Sequence, residues 1–254
     1  MAMPEREETP MAMPESGETP MAMREILENG FAALGLDVPA EAVGRFESYY
    51  NFLTEKNKVM NLTAVAGEEE TARLHFLDCA ALLGCMDPSG KRLIDVGTGA
   101  GFPGLPLKIL RPETELTLLD SLQKRVGFLS ETCDLLGFGE VQCIHARAEE
   151  TPELRGTFDF AVSRAVAKLN VLCELCLPLL RVGGTFLAMK GPEPREEMDE
   201  AARAVSVLGG EYAKPFYYDI PGTDVHHSVV IVRKTRETPA KYPRRYAKIS
   251  KSPL

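Results

Sequence analysis

The stretch that most constrains this chain is RLIDVGTGAGFPGLPLKIL, residues 92–110. An apolar run, RLIDVG (92–97), stops at a Gly-rich turn and resumes as a helical pattern through Leu110. Glycines in such a turn let the backbone bend tightly and approach a ligand with no Cβ in the way. The rhythm then repeats. ELTLLD (115–120) is a strand, followed by a helix with Leu122, Val126, Leu129, Cys133 and Leu136 on one stripe. EVQCIHA (140–146) and TFDFAVS (157–163) are strands, 169–180 is helical, GGTFLAMK (183–190) is a strand and 193–208 is helical. Two last strands, near 211–220 and 225–233, follow without a helix between them. Repeated βα units require a parallel sheet covered on both faces, and a closing hairpin adds an antiparallel edge. The expected fold is α/β: a Rossmann-like, mostly parallel seven-stranded sheet with an antiparallel edge hairpin.

Upstream, the periodicity is helical. Leu27, Phe31 and Leu34 recur on one face and Gly35 can end that helix; Asp37 is placed to cap the next, with Pro39 early in it and Val43, Phe46, Tyr50 and Leu53 as its stripe. A third segment, 68–83, follows a polar connector at 55–66. The first 23 residues repeat MAMPEREETP as MAMPESGETP and then MAM, without apolar content, and read as a disordered leader. The expected organisation is leader 1–23, helical cap 24–84, sheet domain 85–236 and basic tail 237–254.

Composition matters at three points. No apolar run approaches the roughly 20 residues that cross a bilayer, and the N-terminus lacks the basic and apolar regions of a secretion signal. Six Cys inside apolar segments read as reduced thiols of a cytoplasmic protein rather than a disulfide framework. The net charge of -8 conceals a basic end: residues 231–254 carry eight Lys/Arg against Glu237, leaving -15 for the rest. A local excess of this kind suits phosphate contacts, and equally a soluble tail.

The turn itself reads Asp95-Val96-Gly97-Thr98-Gly99-Ala100-Gly101-Phe102. A dinucleotide fingerprint needs G-x-G-x-x-G; here the third glycine comes one residue early and Phe102 stands where Gly is wanted. Asp120, ending the next strand, is placed to accept from two ribose hydroxyls. Three readings compete: an S-adenosylmethionine (AdoMet) enzyme, a nicotinamide enzyme disfavoured by this spacing, and an RNA-binding module that leaves the turn unexplained. The D-x-G-x-G-x-G pattern resembles motif I of class I AdoMet-dependent methyltransferases.

The segment IDVGTGAGFPGLPLKILRPETELTLLDSLQKRVGFL, with NLTAV (61–65), HFLDC (75–79), ARAEE (146–150), VSRAVA (162–167), AMKG (188–191) and ETPAKYPRR (237–245), resembles the glucose-inhibited division protein B family. The family comprises bacterial 16S ribosomal RNA guanine-N7 methyltransferases. That resemblance implies AdoMet as cofactor and 16S ribosomal RNA, or the small ribosomal subunit, as partner; methylation of another RNA or ribosomal substrate is the alternative. It also implies a cofactor set of Asp95, Gly97, Thr98, Gly99, Gly101, Phe102, Asp120, Ser121, Ala148, Glu149 and Arg164, with Ala148 and Glu149 on the adenine and Arg164 also catalytic. RNA contacts are expected from Asn61, His75, Lys124, Arg125, Lys190, Arg244 and Arg245, with Lys56 and Lys58 nearby. Asp78, three residues from His75, can face the same cleft.

No metal, no membrane and a monomer are expected. Cys173 and Cys176 have CxxC spacing but share an apolar helical stripe with no second ligand pair. His226 and His227 open a strand and point to opposite faces, so they cannot chelate one ion together. Amino-group methylases of this class often carry Asn/Asp-Pro-Pro-aromatic after the fourth strand, where this chain has Ser163-Arg164-Ala165, and no Cys sits in a pyrimidine-methylase context. Guanine N7 needs neither base nor nucleophile, because its lone pair is already free.

Overall fold

The computed structural model describes residues 21–254; the 1–20 part of the expected leader lies outside the described residues. The N-terminal helices are α1 (Met23–Ala33), α2 (Ala42–Met60), α3 (Glu68–Thr71) and α4 (Asp78–Ala80). The sheet domain adds β1 (Arg92–Val96), α5 (Gly104–Leu110), β2 (Glu115–Asp120), α6 (Gln123–Leu136), β3 (Gln142–His145), β4 (Phe158–Arg164) and α7 (Leu169–Cys176). It continues through β5 (Leu180–Lys190), α8 (Arg195–Val207), β6 (Gly210–Tyr212), β7 (Phe216–Asp219), β8 (His226–Lys234) and α9 (Tyr246–Lys251).

The sheet order is β3-β2-β1-β4-β5-β8-β6, with β7 also on β8. Pairs among β1 to β5 are parallel, and β8 runs antiparallel to β5, β6 and β7. The sheet therefore has eight strands where the alternation predicts seven. The expected 211–220 strand is broken in two along the same edge of β8, and Pro215, which has no N–H for the ladder, falls in the gap. The N-terminal helices, α5 and α6 cover one face around Phe46, Phe76, Leu105 and Phe128. The α7 and α8 helices cover the other around Leu172, Phe186 and Val205. Each such side chain contributes about 1.5–3 kcal/mol on leaving water.

Three boundaries move. Met23, expected in the leader, is buried at the start of α1 and its backbone N–H donates to Glu68 Oε1 at 2.8 Å. The α2 helix starts at Ala42, past Asp37 and Pro39, and runs to Met60, so half of the expected connector is helical. Its remainder is clasped by Asn57: Oδ1 accepts from Leu62 N and Thr63 N, and Nδ2 donates to Thr63 O. Between α3 and α4 the chain winds as a π-helix, Ala72–Leu77, a form found mostly as single turns at functional sites.

The basic tail is not free. Arg155 donates to the carbonyls of Thr238 and Tyr242, Tyr242 and Ile249 are buried, and Arg244 makes a forked pair with fully buried Glu174. Residues 237–254 thus form a strap over the α7 face.

Candidate active site and its two cavities

The β1–α5 turn is held from beneath. Asp95, fully buried, accepts on Oδ2 from Thr98 Oγ1 at 2.7 Å and from Gly104 N at 2.8 Å. Burial lifts its carboxyl to about 7 against those two hydrogen bonds and the Arg164 charge. Asp95 and Thr98 therefore shape the turn rather than line an opening. Gly97 (φ 72°) and Gly101 (φ 102°) have left-handed backbones; a Cβ at Gly97 would meet Val166 at 2.6 Å, and one at Gly101 would meet the Tyr49 hydroxyl at 2.7 Å. The Tyr49 hydroxyl donates to the Ala100 carbonyl, so α2 braces the turn across the core.

At the carboxyl ends of β1, β2 and β3 opens a cleft of about 280 Å³, with Gly97, Asp120, Ser121, Ala148, Glu149 and Tyr246 along its wall. Asp120 is buried; Oδ1 accepts from Leu122 N at 2.9 Å and Oδ2 from Gly99 N at 3.0 Å. Oδ2 also takes the Arg125 guanidinium at 3.5 Å, so Oδ1 is the oxygen with a lone pair left for a further donor. Burial raises the Glu149 carboxyl above its usual range, and its buried Oε1 has no partner among the described residues. A group that offers vicinal hydroxyls at one end and an N–H-bearing ring edge at the other fits this set; the nucleoside half of AdoMet is such a group.

Phe102 lies on the opposite side of the turn. The His75 ring stacks on it at 4.4 Å and the Arg164 guanidinium sits 4.9 Å from its centroid. Arg164 donates to Leu74 O at 3.2 Å, to Asp78 Oδ2 at 2.9 Å and to His75 Nδ1 at 3.0 Å. His75 Nδ1 lies between the Arg164 guanidinium and the Leu74 carbonyl, 3.1 Å away, and Nε2 shares a hydrogen bond with Thr63 Oγ1 at 2.8 Å. Burial and then Arg164 push His75 down to about 4, so it is neutral. The π-turn supplies the Leu74 carbonyl to this cluster. Arg164 lines a second cavity, of about 420 Å³, rather than the cleft at the ends of β1, β2 and β3.

Of the residues expected on RNA, Lys124 and Arg245 are exposed and Arg125 is half-exposed, 3.5 Å from Asp120 at the cleft rim. The Asn61 side chain is exposed beside the Asn57 clasp. Lys56 and Lys58 pair with Glu131 and Glu55. Lys190 is spent on Glu197 (2.6 Å) and the Ala167 carbonyl. Arg244 is corrected from an RNA contact to the partner of buried Glu174, because an unpaired carboxylate there would be costly.

Tyr246 is a site residue that sequence reasoning missed. It enters the cleft wall from the strap, with the Arg147 guanidinium 5.2 Å from its ring. Its only sequence signal is its place inside the basic run, which reads as charge and hides the aromatic. Asn57 was likewise hidden in a polar connector. Cys173 and Cys176 are buried free thiols, whereas Cys85 and Cys143 are partly exposed. Among the described residues no group of three His, Cys, Asp or Glu side chains is arranged for a metal, and no helix is long and apolar enough to cross a membrane.

A family described as rRNA small subunit methyltransferase G matches residues 43–216. Proteins named ribosomal RNA small subunit methyltransferase G are 44% identical over 235 residues in Alkaliphilus oremlandii (91% of this chain, 98% of that protein) and 46% identical over 234 residues in Clostridium botulinum strain Loch Maree (90% and 98%). Among solved structures, geranyl diphosphate methyltransferase in complex with SAM aligns with TM-score 0.52 at 14% identity, covering 68% of this chain and 93% of that one. TYW2 of Pyrococcus horikoshii in complex with MeSAdo gives 0.51 at 15%, covering 63% and 62%. At these identities the two structures share the fold with this chain.

Proposed function

The chain belongs to the rRNA small subunit methyltransferase G family, and from that membership we propose that it moves a methyl group from AdoMet to N7 of one guanine in 16S ribosomal RNA. AdoMet supplies an electrophilic methyl on a sulfonium sulfur, which an unprotonated ring nitrogen takes without help from a base. The observation that carries the reading is the one cleft that joins Gly97, Asp120 and Glu149, whose Oε1 has no partner among the described residues, at the carboxyl edge of the sheet.

The chain's own residues bind and orient. Asp120 holds the ribose through its carboxylate, with Oδ1 the freer oxygen, Ala148 and Glu149 read the adenine edge, and Tyr246 walls the cleft from the strap. The Gly97–Gly101 turn, fixed below by Asp95 and behind by Tyr49, gives the methionine part a backbone surface ending at Phe102. His75 is neutral with both nitrogens engaged, and Arg164 is paired with Asp78. Catalysis then rests on position, which supplies about 7–11 kcal/mol in well-oriented reactions. The exposed Arg245, just before α9, and Lys248 and Lys251 on it follow Tyr246 of the cleft wall, and with Lys124 and Arg125 at the α6 start they favour an RNA phosphate backbone. A ribosomal RNA substrate places the work in the cytoplasm.

Labelled AdoMet incubated with unmodified 16S ribosomal RNA, free or within the small subunit, followed by mapping of the methyl group, tests this. Label at one guanine N7 is the expected result. Label on another atom, or no AdoMet binding by calorimetry, overturns it.

A further inference from the structure

The cavity of about 420 Å³ opens where β4, β5 and β8 end, between His75, Asp78, Arg164, Met189, Lys190 and His227. It adjoins the nucleoside cleft through one turn: Ala165 lines this cavity and Val166 lines the other. Ala165 is held there in a left-handed conformation (φ 57°), a backbone that a non-glycine residue adopts only under local constraint. The Arg164 guanidinium, which lines the cavity, also covers Phe102 beside the Gly-rich turn.

The floor of the cavity is Asp78, 1% exposed. Its Oδ1 accepts from the Tyr218 hydroxyl at 2.7 Å and from His227 Nδ1 at 2.8 Å, and its Oδ2 from Arg164. Burial would raise this carboxyl, but the His227 hydrogen bond, the Arg164 charge and the Tyr218 hydroxyl together hold it below its usual range. Of the three basic side chains that line the cavity besides neutral His75, Arg164 and Lys190 are already paired. His227 spends Nδ1 on Asp78, its side chain is about one-third exposed (32%), and Nε2 lies on the far side of the ring from Asp78. The Asp78 hydrogen bond raises the His227 pKa, against burial and Arg164, which favours the imidazolium and so an Nε2–H donor.

We propose that this cavity receives the target purine and that His227, carried on Asp78, selects guanine by donating Nε2–H to its O6; the proposal rests on the guanine-N7 reading above. On the edge that carries N7, guanine presents two acceptors, N7 and O6, whereas adenine presents N7 beside an amino donor. A fixed donor next to the reacting nitrogen therefore accepts the first base and opposes the second. It does so without occupying the N7 lone pair, which has to stay free to form the new bond. Asp78 is then a positioning residue, acting through His227, and Tyr218 fixes Asp78 in turn.

The test compares 16S ribosomal RNA carrying guanine or 2-aminopurine at the target position; 2-aminopurine keeps N7 and lacks O6. Single-turnover methylation is measured for the wild-type protein and for His227→Ala, with AdoMet affinity by calorimetry as the check on folding. Loss of one hydrogen bond to a charged donor predicts that wild type is about tenfold to 150-fold slower on 2-aminopurine. His227→Ala should be slower on guanine by a similar factor and should no longer distinguish the two RNAs. His227→Gln, which keeps an N–H donor, should recover part of the discrimination. A wild-type protein indifferent to O6, or a variant that discriminates as well as wild type, overturns the role of His227 while leaving guanine-N7 transfer standing. A wild-type protein that binds AdoMet but methylates neither RNA overturns both.

Discussion

Replacing Arg244 with Met separates a folded strap from a free basic arm. Three Arg244 donors reach Glu174, the backbone N (2.8 Å), Nε (2.8 Å to one oxygen and 3.1 Å to the other) and one terminal guanidinium nitrogen (2.6 Å), and Glu174 is completely buried on α7. Removing one partner of such a pair costs about 3–5 kcal/mol, because the other charge stays desolvated. The strap can escape that cost by peeling away, which wets Glu174 but forfeits the burial of Tyr242 and Ile249, about 3–6 kcal/mol for two large side chains. The two costs are comparable, so the damage should appear as local opening of 237–254 and not as global unfolding. Hydrogen exchange read by mass spectrometry should show amides of this segment exchanging about a hundredfold to a few thousandfold faster, with the sheet unchanged. AdoMet affinity should fall in the same protein, because Tyr246 leaves the cleft wall, and Tyr246→Ala alone should reproduce that fall. Undisturbed exchange across 237–254, with a loss confined to RNA affinity, would refute the strap and restore Arg244 as an RNA contact.

Asp120→Ala should weaken AdoMet binding about tenfold to 150-fold by calorimetry, since it removes the ribose acceptor and the partner of Gly99 N–H. Neutralising Arg245, Lys248 and Lys251 together should lower RNA affinity and reduce the salt slope by about 0.7–0.9 for each phosphate that these side chains neutralise, with AdoMet affinity unchanged; equal slopes would remove α9 from the RNA face. Asp95 gives a pH signature. Its carboxyl, raised to about 7 by burial, keeps a proton in the folded state that the unfolded chain has lost, so between about pH 4 and 7 its contribution makes stability fall as pH rises. Denaturant unfolding of Asp95→Asn should lack that component, and a wild-type-minus-variant difference independent of pH would disprove the perturbed carboxyl.

Much of the sheet was legible because its signals are local. Apolar runs such as RLIDVG and ELTLLD, broken by turn residues, announce parallel strands, and the carboxylate that ends β2 does line the cleft at the sheet's carboxyl edge. The helical stripe that contains Cys173 and Cys176 placed both in the core without any knowledge of what packs there. The failures share one cause. Arg244 read as a phosphate contact because sequence shows a charge and not its partner, which lies 70 residues earlier on α7. His227 read as half of a strand-opening pair because Asp78 is 149 positions away. Met23 read as leader because its burial depends on the helices that close over it.

The sequence by itself determined the doubly wound sheet, the Gly-rich turn and the class of cofactor, since each follows from residue types within one or two elements. Only the tertiary structure decided what the charged and aromatic residues do. It committed Arg244 to Glu174, set Tyr246 into the wall of the cleft that holds Asp120 and Glu149, braced the turn with Tyr49, and joined His75, Asp78, Arg164 and His227 into one cluster. A polar side chain takes its role from the partner that satisfies it, and burial makes that partner obligatory. Such partners are brought together by the packing of distant elements, which periodicity along the chain does not record.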